Sequence, residues 1–421
     1  MTEARIAVLG AGMVGVCCAL ELQSRGHAVT LIEREHPAAQ TSGGNAGVVA
    51  RSSLVPINNP GLWLTLPQLI SSAGGNGSSA LRYDLGYLLH HPAWVLGFLA
   101  STRQSVFEVT AQALDALIRL SSERHRHWSA AARVAHLWRH DGWLYAYRDA
   151  VACKRAAGAR AVWSRFGVAH QVLQAPELTA LEPALGSAYA VAVWVRDAAA
   201  AASPQQVVQA YADCFVRQGG TLLRDEIRTL APVDAGRWRL QMVRAGESQF
   251  ARVVVCLGPW SPELLAPLGL RVPMAFERGY HMHYGWAGDT PLTRPVYDTA
   301  AACVLSPMRQ GLRLTTGVEL THRDAASDFG QLDAAEAAVR AVLPLGQRLD
   351  AAPWRGARPT LPDSRPVIGQ ASRHPGLWLA FGHQHIGFST GPGTAAMLGA
   401  MLDGQAPAVD ALPFSPARLG L

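Results

Sequence analysis

The chain has 421 residues, 49% of them apolar and 16% charged, which is too long for one small core and predicts two domains. A formal charge of +6 rests on scattered arginines and a single lysine, Lys154, a pattern that argues against nucleic acid as a partner and against lysine Schiff-base chemistry. The six cysteines (Cys17, Cys18, Cys153, Cys214, Cys256, Cys303) form neither a CxxC pair nor a zinc spacing, so burial in a reducing cytoplasmic compartment is expected.

Residues 6–9 read as a buried strand, and Gly10 to Gly15 turn it into a helix ending near Gly26. The apolar run meets this turn with no cleavage site between, so no signal peptide is expected. Residues 29–32 form a second parallel strand ending at Glu33, which completes a βαβ unit. A glycine-rich loop follows at 43–47, and 74–79 reads as a flexible break. From 85 to about 133 the apolar spacing is helical. No run of about 18 apolar residues spans a bilayer. The stretch 85–100 is read as a packed helix, with peripheral contact at a membrane's inner face left open.

Residues 142–147 alternate as a strand, and 204–218 form a helix with Ser203 as cap and Pro204 at its first position. Strands are expected at 221–223, 238–242 and 252–256, and strand and turn from 272 to 320. A strand at 377–381, a glycine-rich loop at 382–393 and a helix at 394–402 close the chain. The fold class is α/β, α+β overall. A Rossmann-like cofactor domain is discontinuous over 1–60, 200–262 and 355–421. A substrate domain over 61–199 and 263–354 carries an antiparallel or mixed sheet plus helices.

Gly10-Ala11-Gly12-Met13-Val14-Gly15 is a GxGxxG fingerprint in its proper place between strand and helix. The glycines allow the tight turn, the approach of a pyrophosphate and close helix packing, and the helix start offers free N–H groups to phosphate. Glu33 stands where a carboxylate accepts ribose hydroxyls. The fingerprint alone does not separate FAD from NAD. The chain holds one such motif, whereas a flavin with a nicotinamide partner calls for two.

These residues, with Thr41-Ser42-Gly43-Gly44-Asn45-Ala46-Gly47, Glu277-Arg278-Gly279-Tyr280, 356–363 (GARPTLPD) and 382–387 (GHQHIG), resemble the D-amino acid oxidase and dehydrogenase family of FAD flavoproteins, and most of all its bacterial D-amino acid dehydrogenase small-subunit type. The resemblance spans almost the whole chain. It implies FAD held at Gly10, Gly12, Met13, Val14, Gly15, Glu33, Arg34, Thr41, Ser42, Asn45, Ala46, Gly47, Ile227, Gly258, Gly356, Gly382, His383, Gly387, Phe388, Ser389 and Thr390. It implies Arg358 as the partner of a substrate carboxylate, for which a planar, permanently charged guanidinium is suited. The competing role for Arg358 is an ion pair with Asp363. Tyr280 and His281 are expected to orient substrate, and His383 and His385 to touch flavin or substrate.

The implied activity is oxidation of a D-amino acid or a proline-type imino acid, with electrons leaving to a quinone, a dye-like carrier or a partner subunit. Two departures stand out. Relatives carry a tyrosine on the strand that here reads 302–305, and some use a lysine beside the flavin to promote reaction with oxygen. This chain has neither, which favours dehydrogenase over oxidase. Oxidation of N-methyl amino acids, glycine or 2-hydroxy acids, and a noncatalytic FAD-binding subunit, remain as alternatives.

Overall fold

The protein is described by a computed structural model over residues 5–64, 80–234 and 236–421; the expected break at 74–79 lies outside the described residues. A six-stranded sheet runs in the order Thr221–Arg224, Val29–Glu33, Ile6–Leu9, Arg252–Val255, Leu377–Phe381, Val367–Gln370. All neighbours are parallel except the last pair. The inner strands are apolar without alternation because both faces are covered. Val8, Leu31 and Val254 face one core with the helices Met13–Ser24, Pro204–Arg217 and Gly387–Leu402, while Leu9, Ile32, Val253 and Val255 face another. That second core is closed by a small antiparallel sheet, Ile227–Asp234, Arg237–Met242 and Glu247–Phe250.

The helical stretch resolves into Leu85–His90, Pro92–Ala100 and the long helix Gln104–Ala131. In the first two, Tyr87 and Trp94 are buried, whereas Leu85, Leu89 and Leu96 are exposed. The long helix packs on the closing helix, Gly387–Leu402, which also packs on the opening helix, Met13–Ser24. All six cysteines are free and buried.

A second, eleven-stranded sheet is mixed. Its central strand, Ala275–Trp286, pairs antiparallel with Gly311–Thr315, Val318–Leu320, Leu345–Arg348 and Trp354–Thr360. Parallel pairs occur at Leu81–Tyr83 with Val318–Leu320 and at Trp143–Tyr147 with Val296–Asp298. Trp354–Thr360 belongs to this sheet, so the boundary drawn at 355 falls inside a strand; the chain rejoins the first sheet only at Val367.

The closing helix also corrects the reading of 382–393 as loop, since it starts at Gly387 and contains Pro392. Its glycines are contact surfaces: a Cβ at Gly391 would lie 2.8 Å from Met13 Cγ, and one at Gly393 2.8 Å from Leu117 O. Proline leaves the carbonyl four residues earlier without its helical donor. That carbonyl, on Phe388, accepts instead from Nε2 of His125 at 2.8 Å.

Candidate active site

The two sheets share a cavity of about 840 Å³, near the upper end of what ligand pockets enclose. The opening turn contributes Gly10, Gly12, Met13 and Val14 to its wall. Gly10 takes φ +95, and a Cβ on Gly15 would meet Gly10 O at 1.8 Å, so the helix sits directly against the strand end. Ala11 N donates to Glu33 Oε2 at 2.7 Å, and Met13 N to Ser42 Oγ at 3.0 Å. No acid occupies the first turn of the opening helix, which leaves its positive end facing the cavity.

Around this turn stand Glu33, Arg34, Thr41, Ser42, Asn45, Ala46, Ile227 and Gly258, all in the cavity wall. Arg34 lies 4.4 Å over the Trp260 ring, and Asp225 N donates to Glu33 O, so 225–228 and Trp260 complete this end. Of these, Ile227 was expected from the sequence; Asp225, Glu226, Arg228 and Trp260 were not, although they follow closely on strands that were. Gly356, His383, Gly387, Phe388 and Ser389 line the other end, where the closing helix presents a first turn that is likewise free of acids. A long cavity with two helix starts, a glycine turn and one carboxylate at the ribose position fits a dinucleotide.

Four of the residues assigned to the cofactor stand outside the wall. Gly15 serves helix packing, Gly47 adopts φ +79 beside Ala201 O, Gly382 adopts φ +81 against Leu361, and the Thr390 hydroxyl donates to Ile386 O.

Arg358 lines the cavity with its guanidinium over Gly279, where an added Cβ would meet Nη2 at 2.4 Å. Nη1 donates to Gly317 O at 3.1 Å, and among the described residues Arg358 forms no ion pair within 4 Å. Asp363 is taken by Arg365 at 2.9 Å and Arg418 at 2.7 Å, so the competing role for Arg358 fails. Glu277 also lines the cavity, and burial pushes its carboxyl up against the opposing pull of Arg358.

Tyr280 is a correction. It is fully buried and outside the wall, its hydroxyl donating to Glu319 at 2.6 Å and accepting from Arg278 at 2.8 Å. Side chains alternate along a strand, so Glu277 and Gly279 face the cavity while Arg278 and Tyr280 face the core. His281 shares the cavity-side parity but lies beneath the wall, stacked on Trp354 at 4.7 Å with Nδ1 bonded to Gly44 O at 3.1 Å. Burial lowers its pKa to about 2. His383 and His385 both line the cavity. Burial lowers His383 to about 3; His385 is exposed toward the cavity, where the enclosing protein and the Arg358 charge lower it.

The missing tyrosine has a neighbour in its place. Tyr297, on the adjoining strand opposite Val304, lines the cavity with it, and its hydroxyl has no hydrogen-bond partner among the described residues. Trp94 and Phe98, stacked at 4.9 Å, add an apolar wall with Val95 and Leu99.

Fold and site thus define a dinucleotide-binding oxidoreductase. The family model described as DAO, FAD dependent oxidoreductase, matches residues 5–401, and the chain belongs to that family. It is 30% identical to a D-amino-acid oxidase of Bradyrhizobium diazoefficiens, over 99% of this chain and 100% of that one. It is also 30% identical to D-amino acid dehydrogenase 2 of Ralstonia nicotianae, over 98% and 100%. Glycine oxidase from Geobacillus kaustophilus has the same fold, with a TM-score of 0.72 at 20% identity over 99% of each chain.

Proposed function

We propose that this flavoprotein oxidises the carbon–nitrogen bond of a small amino or imino acid, with a D-amino acid as the foremost substrate. The observation that carries this reading is Arg358: a cavity-lining guanidinium with one carbonyl partner and donors to spare, suited to a substrate carboxylate. The names of the relatives support it. FAD, when bound, supplies the hydride-accepting ring that takes the substrate's α-hydrogen.

The phosphates of FAD would be held by the opening turn, the ribose by Glu33 and the ring by 383–389. The chain's own task is orientation. Arg358 fixes the acid end. His383 and His385 stay neutral at physiological pH and add no rival cation. Trp94, Phe98 and Tyr297 shape the side-chain pocket and exclude water.

The released imine hydrolyses to a 2-oxo acid, or leaves as a cyclic imine from a proline-type substrate. Lys154, the single lysine, is not among the residues of the cavity wall, which supports a dehydrogenase that hands electrons to a quinone-type carrier. Among the described residues no helix is long and apolar enough to cross a membrane. The exposed Leu85, Leu89 and Leu96 support peripheral contact with a membrane face where such a carrier resides. Anaerobic flavin bleaching against D-amino acids, prolines, sarcosine and 2-hydroxy acids tests the substrate class. Bleaching by hydroxy acids alone would overturn it.

A further inference from the structure

A second cleft of about 250 Å³ opens between the start of the helix Pro204–Arg217 and the turn after the strand Cys303–Met308. Its wall holds two arginines, Arg309 and Arg313, four glutamines, a serine and no carboxylate. The helix has no acid in its first turn, so its positive end adds to the same field.

Arg313 is the second, independent feature. Its side chain is 6% exposed. Nε donates to His283 Nε2 at 3.0 Å, and Nη1 donates to the carbonyls of Gly43 and Asn45. Nη2 has no acceptor among the described residues, and the side chain lines this cleft rather than the cofactor cavity. Among the described residues the guanidinium has no ion pair within 4 Å; its carboxylate neighbour is Asp350, reached through Nδ1 of His283 at 2.8 Å. Burial lowers Arg313 to about 10, with Asp350 opposing. Arg309 is likewise without an ion pair among the described residues, its Nη1 donating to Gln206 Oε1 at 3.0 Å. A buried cation with an unused donor beside a second unpaired arginine calls for an anion.

We propose that this cleft binds a small oxyanion, a phosphate or a carboxylate, at a site separate from the cofactor cavity. Its volume of about 250 Å³ is ample for such a group. The guanidinium that takes the anion on Nη2 also grips the loop at Gly43 and Asn45, whose other side lines the cofactor cavity.

The test is titration calorimetry on the FAD-loaded protein at constant ionic strength, with inorganic phosphate in one arm and acetate in the other to tell the two sources apart. Saturable binding of at least one anion is expected. Arg309→Gln should weaken it by about tenfold or more, the loss of one charge-assisted bond. Gln206→Glu, which sets a carboxylate against Arg309, should do the same, and it decides the matter if Arg309→Gln fails to fold. Neither residue touches the cofactor cavity, so bound FAD and turnover stay unchanged. No saturable heat for either anion, or wild-type affinity in the variants that fold, would overturn the proposal.

Discussion

Arg358 shows how a single residue's role depends on what its neighbours are already doing. Because Arg365 and Arg418 occupy Asp363, the guanidinium of Arg358 stays available in the cavity wall. Its replacement by glutamine is expected to raise KM for amino acids by roughly 100-fold, the loss of two charge-assisted bonds, with FAD still bound. Steady-state kinetics beside the flavin spectrum checks this. The motif made Arg358 legible in the sequence, whereas Tyr280 and His281 were misplaced because sequence gives the alternation of a strand without saying where a cavity ends along it.

Protonation is the other residue-scale effect. His125, His281 and His383 are buried, with folded pKa values lowered to about 4, 2 and 3. An unfolded histidine titrates near 6.5 and then binds the proton that the folded one refuses, so stability is complete above that pH and falls as pH drops toward the folded values. The unfolding free energy is expected to fall steadily from pH 6.5 to 4.5, at up to about 1.4 kcal/mol per unit for each histidine, and Tm falls with it. Scanning calorimetry across that range, with His125→Gln giving a shallower slope, is the check. An equal slope in the variant would contradict this account.

At the scale of elements, the opening and closing helices set the site, and their glycines differ in what they do. Gly15→Ala forces a methyl onto Gly10 O and should cost about 3 kcal/mol or more, with loss of FAD. Gly26→Ala meets nothing within 4 Å and is strained only by φ +88, a cost of about 1–2 kcal/mol with FAD retained. Denaturant unfolding and flavin retention distinguish the two. The opening βαβ unit was readable because strand, turn, helix and acid are consecutive. The first two turns of the closing helix were not, because Gly387, Gly391, Pro392 and Gly393 read locally as loop. Their helical state depends on tertiary partners, namely Met13 and Leu117 against the glycines and His125 at the carbonyl freed by proline.

The molecule is built around a mainly parallel sheet and a mixed sheet with the chain passing repeatedly between them, so the cavity draws its wall from segments far apart in sequence. Composition and order announced the two sheets, yet a boundary at 355 split a strand, since pairing of Trp354–Thr360 with Ala275–Trp286 is nonlocal. At this scale, electrons are expected to leave for a dye or quinone faster than for oxygen, checked by comparing dye reduction with peroxide release on one preparation. The most direct measurement is anaerobic bleaching of the bound flavin by a D-amino acid, in the wild type and in Arg358→Ala, each compared with the corresponding amine that lacks the carboxylate. The account predicts rapid bleaching by the amino acid in the wild type, a collapse of its apparent affinity in the variant with FAD still bound, and equal, slow responses of both proteins to the amine. Equal bleaching of both proteins by the amino acid would contradict it.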